Sequence, residues 1–358
     1  MDETKRVTLF TRREAGLLGL AALPGAVLAA RSASAFAMQA KPNSTWGGVP
    51  FGIFAPYRFG PEAADLEPAR QALVRFGVSH AEVSAAMIEK YAGAPQPAAR
   101  AGGPAGGTAA PAPAAPAAGA PAAGAGRGGG RATQTPEQQA AARAQAAALS
   151  KWRASVPMSR FADIKKKFDA AGVGIYAYRL TLTADMPDAE YDYTFNAAKA
   201  LGATQVTMEL PANAALSQRI GTSAAKHQVN VGYHLHTTAS ITAWDEAMAQ
   251  SPRNGIQLDI GHFVGGRSAS PIPLIEKHHA RIFSMHLKDK TNGNRPAGGN
   301  VNQPWGQGDT PIKEVLQVLK KNRWAIPVGI EFEYTVPEGS TWDKEIAKCV
   351  QYAKEALA

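Results

Sequence analysis

Imidazole and carboxylate side chains close a series of short apolar runs in this chain. Gly255-Ile256-Gln257-Leu258-Asp259-Ile260-Gly261-His262 is one run, and Ile282-Phe283-Ser284-Met285-His286-Leu287-Lys288-Asp289 is another. Tyr233-His234-Leu235-His236 and Val328-Gly329-Ile330-Glu331-Phe332-Glu333-Tyr334 have the same character. Glu82, Arg179 and Glu209 end comparable runs nearer the start. Successive side chains of a strand point to opposite faces, so His234 and His236 point one way, as do Glu331 and Glu333. Charged and imidazole groups are costly inside a fold unless a metal or a partner takes them. A donor set of Asp, Glu and His without cysteine suits Mn²⁺, Mg²⁺, Co²⁺ or Zn²⁺. The one cysteine, Cys349, excludes an intrachain disulfide framework and a cysteine-based zinc cluster. It falls in a helical stretch and reads as a small buried residue.

Positioning these groups at one place requires a regular scaffold. The two runs that end in Asp259-Ile260-Gly261-His262 and His286-Leu287-Lys288-Asp289 leave room for one helix between them, the spacing of a parallel β-α-β unit. The same alternation extends along the chain. Strands are expected at Val49 to Ala55, Val78 to Val83, Val173 to Leu182, Gln205 to Leu210, Val229 to His236, Gly255 to His262, Ile282 to Asp289 and Val328 to Tyr334. Helices are expected at Asp65 to Phe76, Thr135 to Arg153, Phe161 to Ala171, Ala189 to Leu201 and Ala214 to His227. Further helices follow at Thr242 to Gln250, near Pro273 to His279, from Thr310-Pro311 to Asn322, and at Trp342 to Leu357. Eight strands, each followed by a helix, predict a parallel sheet covered by helices, closed as a (β/α)₈ TIM barrel. A doubly wound open sheet is the alternative. It usually carries a glycine-rich phosphate turn after its first strand, and Ala55-Pro56-Tyr57-Arg58 is not one. In a barrel the C-terminal ends of all strands meet at one face, which gathers the residues named above.

Three segments stand apart from this pattern. Residues 1–37 read as a twin-arginine signal peptide: Arg12-Arg13 precede an uncharged apolar run from Ala15 to Ala30, and small-x-small cleavage patterns lie at Ala33 to Ala37. Pro24 breaks the run, which is short for a spanning helix, so cleavage near Ala35 to Ala37 and a periplasmic or secreted protein are expected. Contact with the membrane is then limited to export. Residues 38–48 read as a linker before the barrel, which spans 49–358. Residues 93–134 are almost entirely Ala, Gly and Pro, lack the apolar bulk that offsets chain entropy, and are expected to be a disordered insertion after strand two. The formal charge is +9, but several basic residues (Arg12, Arg13, Arg31, Arg100, Arg127, Arg131) lie in these two outer segments, so no nucleic-acid partner is inferred.

Asp259-Ile260-Gly261-His262, His286-Leu287-Lys288-Asp289, Gly306-Gln307-Gly308-Asp309 and Ile330-Glu331-Phe332-Glu333, in that order, resemble the xylose isomerase-like TIM-barrel family. Its members are usually called sugar phosphate isomerases/epimerases. Tyr233-His234-Leu235-His236 is similar to that family's Tyr-His-Asn-His. The resemblance runs from Phe51 to Ala358, the insertion aside. It implies a divalent metal held by Asp259, His286 and Glu331. Many members add a strand-five Glu as ligand and acid/base. His234 stands there instead, so His234 or Glu209 is expected to complete the shell. That departure counts against two facing catalytic carboxylates.

The expected function is a metal-dependent sugar isomerase or epimerase that removes a proton beside a carbonyl. Glu333, Glu209 and a neutral His234 are the candidate bases, with His262 beside them. His236, Arg179, Lys288 and Trp305 are the expected contacts to a small sugar or keto-sugar, Trp305 by stacking on the ring. Lys288 and Asp289 are alternatively placed to orient His286. Glu82 reads as structural. The same chemistry would serve a 3-keto-glycoside lyase or dehydratase, and a non-catalytic periplasmic carbohydrate-binding protein is the reading from another class. No phosphate-cradling loop stands out, so a free or keto sugar is as well matched as a sugar phosphate.

Overall fold

Among the residues that the computed structural model describes (41–56, 65–97, 135–267 and 269–358), the apolar runs become eight parallel strands. They are β1 (Val49–Ala55), β2 (His80–Ser84), β3 (Gly174–Arg179), β4 (Gln205–Glu209), β5 (Asn230–His234), β6 (Asn254–Asp259), β7 (Ile282–Leu287) and β8 (Val328–Ile330). Each pairs with the next in parallel, and β8 pairs back onto β1, which closes the barrel. The expected signal peptide and residues 98–134 of the expected insertion lie outside the described residues.

The period-two pattern of the strands decides which side faces in. Val206 and Met208 of β4, Ile256 and Leu258 of β6, and Met285 and Leu287 of β7 are fully buried in the apolar core. The residues between them are polar and meet across the barrel. Glu82 of β2 accepts hydrogen bonds from Thr207 of β4 and Gln257 of β6. Strands β2 and β6 are not sheet neighbours, so this contact runs through the interior. Glycine makes room for a bulky neighbour in the same interior: a Cβ at Gly329 would lie 2.7 Å from the hydroxyl of the buried Tyr176.

The helices start and stop where their sequences direct. Thr135 and Gln138 form a reciprocal capping box, and Pro136 opens the helix Pro136–Ser155. This helix buries no residue fully; Trp152 packs partly buried against Phe161 and Tyr193, and Arg153 beside it adds a buried ionic anchor. Its guanidinium donates to both carboxylate oxygens of Glu89 (2.8 and 3.0 Å) and to Glu190 (2.7 Å), and Tyr193 donates to Glu89 at 2.9 Å. Among the described residues no helix is long and apolar enough to cross a membrane.

Several boundaries differ from expectation, each for a local reason. Strand β6 stops at Asp259 because the Asp259 carboxylate accepts the His262 backbone N–H at 2.7 Å and starts the helix Ile260–Arg267. His262 is therefore helical. Strand β8 ends at Ile330; only the Glu331 N–H to Leu287 carbonyl bond, 3.1 Å, extends the ladder. Strand β3 ends at Arg179, not Leu182. An unexpected helix, Ala85–Tyr91, follows β2 directly, capped by Ser84. Part of the expected linker is structured: Thr45–Trp46 pairs antiparallel with Val49 and Pro50, and Ser44 is buried against Ser79.

The side chains of Arg153, Glu89 and Glu190 are only 9%, 6% and 7% exposed, so removing the cation strands two buried carboxylates. Arg153→Ala is expected to cost about 3–5 kcal/mol of unfolding free energy, read from urea melts. A cost below about 1 kcal/mol, the level of an exposed pair, would contradict this account.

Candidate active site

The C-terminal ends of β5 to β8 bring His234, Asp259, His286 and Glu331 together. Each offers one ligand atom, and these atoms lie within 4.8 Å of one another, all on buried residues. Local structure places each one. His234 is the last residue of β5, Asp259 the last of β6 and His286 the penultimate residue of β7, and Glu331 follows β8. Asp259 divides its oxygens: Oδ1 caps the helix Ile260–Arg267, and Oδ2 faces the cluster.

His286 is clamped between two acids. Its Nε2 lies 2.7 Å from Glu82 and its Nδ1 lies 3.1 Å from Glu331. Phe54 stacks on the ring at 5.6 Å. Burial disfavours a charged imidazole, but Glu331 and Glu82 outweigh it and push His286 up to about 10.

The Lys288 ammonium sits among the acids at 2% side-chain exposure. It lies 2.7 Å from Glu331, 2.6 Å from Glu333 and 3.0 Å from Asp259, and it donates to His262 Nε2 at 3.0 Å. Burial pulls its pKa down, and Asp259, Glu331 and Glu333 together raise it. Burial pushes Asp259 up to about 7 against the pull of Lys288. Glu331 is also buried, but Lys288 and His286 hold it well below the usual carboxylate range. Burial drives His234 well below its ordinary value and His262 down to about 2, so both rings are neutral. Gly261 admits the lysine stem: a Cβ there would meet Lys288 Cγ at 2.4 Å.

The donor set fits a divalent cation. His234 Nδ1 is buried without a hydrogen-bond partner, an arrangement that costs about 1–3 kcal/mol unless a ligand takes it, and Asp259 Oδ2 faces the cluster beside the Lys288 ammonium. The mixture of imidazole nitrogen and carboxylate oxygen matches Mn²⁺, Co²⁺ or Zn²⁺ chemistry. Two further triads overlap this set, His234-His236-His262 and His262-Glu331-Glu333.

The mouth carries the remaining groups. Arg179 donates to Glu209 at 2.6 Å and to Gln257 at 3.2 Å, and its guanidinium lies over Phe54. His236 is 59% exposed, 3.9 Å from Glu209, with its ring tilted against His262 at 4.6 Å. Other expected residues lie elsewhere. Asp289 does not touch His286; it accepts the backbone N–H groups of Gly306, Gly308 and Thr310 and shapes that loop. Trp305 packs edge-on against Tyr352 at 5.8 Å, in a groove of about 470 Å³ shared with Tyr334 and Lys348 and outside the donor cluster. Lys288 faces acids where a substrate contact was expected. Glu82, expected to be structural, bonds a member of the cluster, and Gln257 was not singled out at all. Both are polar residues set between apolar neighbours, Ala81 and Val83 in one case and Ile256 and Leu258 in the other. That was the available signal.

Residues 149–352 match the family model described as xylose isomerase-like TIM barrel. Solved structures share the fold. A xylose isomerase domain protein from Planctomyces limnophilus is 15% identical with a TM-score of 0.52, covering 86% of this chain and 96% of that one. The probable 3-DHS dehydratase involved in petrobactin synthesis from Bacillus anthracis is 10% identical with a TM-score of 0.53, covering 86% and 98%. The IOLI protein, solved with a zinc atom, is 12% identical with a TM-score of 0.50, covering 86% and 96%. At such identities these structures speak to fold alone. No curated protein sequence matches.

Lys288→Met keeps the volume and removes the internal cation, leaving Asp259, Glu331 and Glu333 to repel one another. In chelator the variant is expected to lose about 3–5 kcal/mol, the cost of breaking a buried ion pair. Added Mn²⁺ or Zn²⁺ should restore more stability to it than to the wild type in thermal melts. Equal melting behaviour in chelator would rule out the internal-cation role.

Proposed function

This chain belongs to the xylose isomerase-like TIM-barrel family, and from that premise we propose that it is a metal-dependent sugar isomerase or epimerase. The observation that supports this is the convergence of four buried donors, His234, Asp259, His286 and Glu331, within 4.8 Å at the barrel's C-terminal face. These residues would hold a divalent cation. When bound, it supplies a Lewis acid for a carbonyl and its neighbouring hydroxyl.

The protein's own groups supply the proton chemistry. Glu333 is the preferred base. It is 18% exposed, stands beside Glu331 and pairs with Lys288, whose charge stabilises the carboxylate between proton transfers. Glu209 is turned to Arg179, and His234 stands among the ligands. Return of the proton to the adjacent carbon, with the hydroxyl proton passing to the former carbonyl oxygen, isomerises the sugar; return of a proton to the opposite face of the original carbon epimerises it. Arg179 and His236 at the mouth are assigned to substrate hydroxyl or oxyanion contacts. A free or keto sugar fits a sequence in which no phosphate-cradling loop stands out.

Elimination by a 3-keto-glycoside lyase or dehydratase is the second reading. It needs one base, and the Arg179–Glu209 ion pair at 2.6 Å favours it by occupying the other mouth carboxylate.

Metal analysis followed by a sugar panel, read by NMR in deuterated water, tests both readings. Deuterium entry beside a carbonyl supports proton abstraction, and a product with a new ultraviolet-absorbing double bond selects the lyase. Asp259→Ala and His286→Ala should each lose bound metal and bring turnover to background. Retention of both metal and activity in either variant refutes the assignment, and saturable sugar binding without exchange under any metal leaves only a binding protein.

We further propose that the mature protein acts outside the cytoplasm. Replacing Arg12 and Arg13 by Lys should leave an uncleaved precursor in the cytoplasmic fraction. Wild-type protein that stays cytoplasmic with residues 1–37 intact by mass spectrometry would count against export.

A further inference from the structure

The geometry points to Glu82 as the positioning residue that makes His286 present Nδ1, not Nε2, to the cation; this rests on the metal-dependent reading above. His286 has two ring nitrogens, and a hydrogen-bonded imidazole binds a metal through the nitrogen that its partner leaves bare. Near Nε2 lie Glu82 Oε2, at 2.7 Å, and Gln257 Nε2, at 3.2 Å. The Gln257 amide is oriented by its far end. Its Oε1 accepts from Arg179 Nη1 at 3.2 Å, so its Nε2 is the donor end and donates to Glu82 Oε2 at 2.8 Å. A donor cannot accept the imidazole N–H. The Nε2 proton therefore goes to Glu82, which lies outside the donor cluster, while Nδ1 faces Glu331, a member of it, and is the nitrogen that would give up its proton to a cation.

Glu82 is itself held firmly. It is fully buried, and Thr207 donates to its other oxygen at 2.5 Å. Strands β2, β3, β4 and β6 thus all act on one ring of β7. The chain Arg179–Gln257–Glu82–His286 also connects the mouth to the donor cluster.

Zn²⁺ affinity of chelator-stripped protein, measured by calorimetry, tests the role. Glu82→Ala should weaken Zn²⁺ by about 10–100-fold, with Glu82→Gln in between because an amide oxygen still accepts the N–H. Gln257→Leu, which frees Glu82 without removing its acceptor, should weaken binding less than Glu82→Ala. If Glu82→Ala does not fold, Glu82→Gln and Gln257→Leu carry the test. Nitrogen-15 shifts of the Zn²⁺-loaded wild type should show His286 protonated at Nε2 and coordinated through Nδ1. Folded variants with unchanged affinity, or coordination through Nε2, overturn the role of Glu82 while leaving a metal-binding wild type intact. A wild type that binds no divalent cation removes the function proposed above and this inference with it.

Discussion

Charge balance around one buried ammonium governs this molecule. Three carboxylates, Asp259, Glu331 and Glu333, approach Lys288 within 3.0 Å. Several acids brought this close repel one another strongly where water is excluded. Lys288 makes the arrangement tolerable before any ligand arrives. Its stem passes over Gly261, where no other residue would fit without displacing the lysine backbone or side chain. Fold and site meet most directly at Asp259, which starts a helix with one oxygen and faces the ammonium with the other.

The barrel itself is unusual in being polar where many cores are apolar. Its outward side chains pack against the helices, and its inward ones form a hydrogen-bonded lattice of Glu82, Thr207, Gln257 and His286. Buried polar groups specify one geometry when every member is satisfied, because any slip leaves a costly unmatched atom. Among the described residues, buried atoms without a partner include His234 Nδ1 at the site and the Tyr176 and Tyr178 hydroxyls elsewhere. The hydrogen-bonded lattice fixes the donor positions, and the bare His234 nitrogen suits a cation.

The helix Pro136–Ser155 shows the same principle away from the site. It lacks a fully buried apolar face, and a buried guanidinium bridging two carboxylates ties it to the helices Ala85–Tyr91 and Asp188–Leu201. An Ala-rich stretch alone gives no sign of that anchor. Arg153 looks like any other basic residue of a solvated helix until Glu89 and Glu190 are placed opposite it.

Local order was legible in the chain because it depends on neighbours in sequence. Apolar runs of strand length, turn glycines and the Thr135-Pro136 cap were enough to expect a closed barrel, and the family resemblance of the acid and imidazole motifs implied Asp259, His286 and Glu331 as ligands with His234 beside them. Contacts between distant segments were not legible. Glu82 and His286 are separated by 204 positions, and nothing in either neighbourhood encodes the other. Lys288 reads as a substrate contact from its motif and becomes an internal counter-ion only because β6, β7 and the residues after β8 converge. Trp305 and Asp289 were drawn towards the site by proximity in sequence, yet the loop turns one against Tyr352 and uses the other to bind its own backbone. Periodicity settles which way a side chain points along its own strand; which partner it meets is settled only when the sheet closes and strands far apart in the chain share one interior.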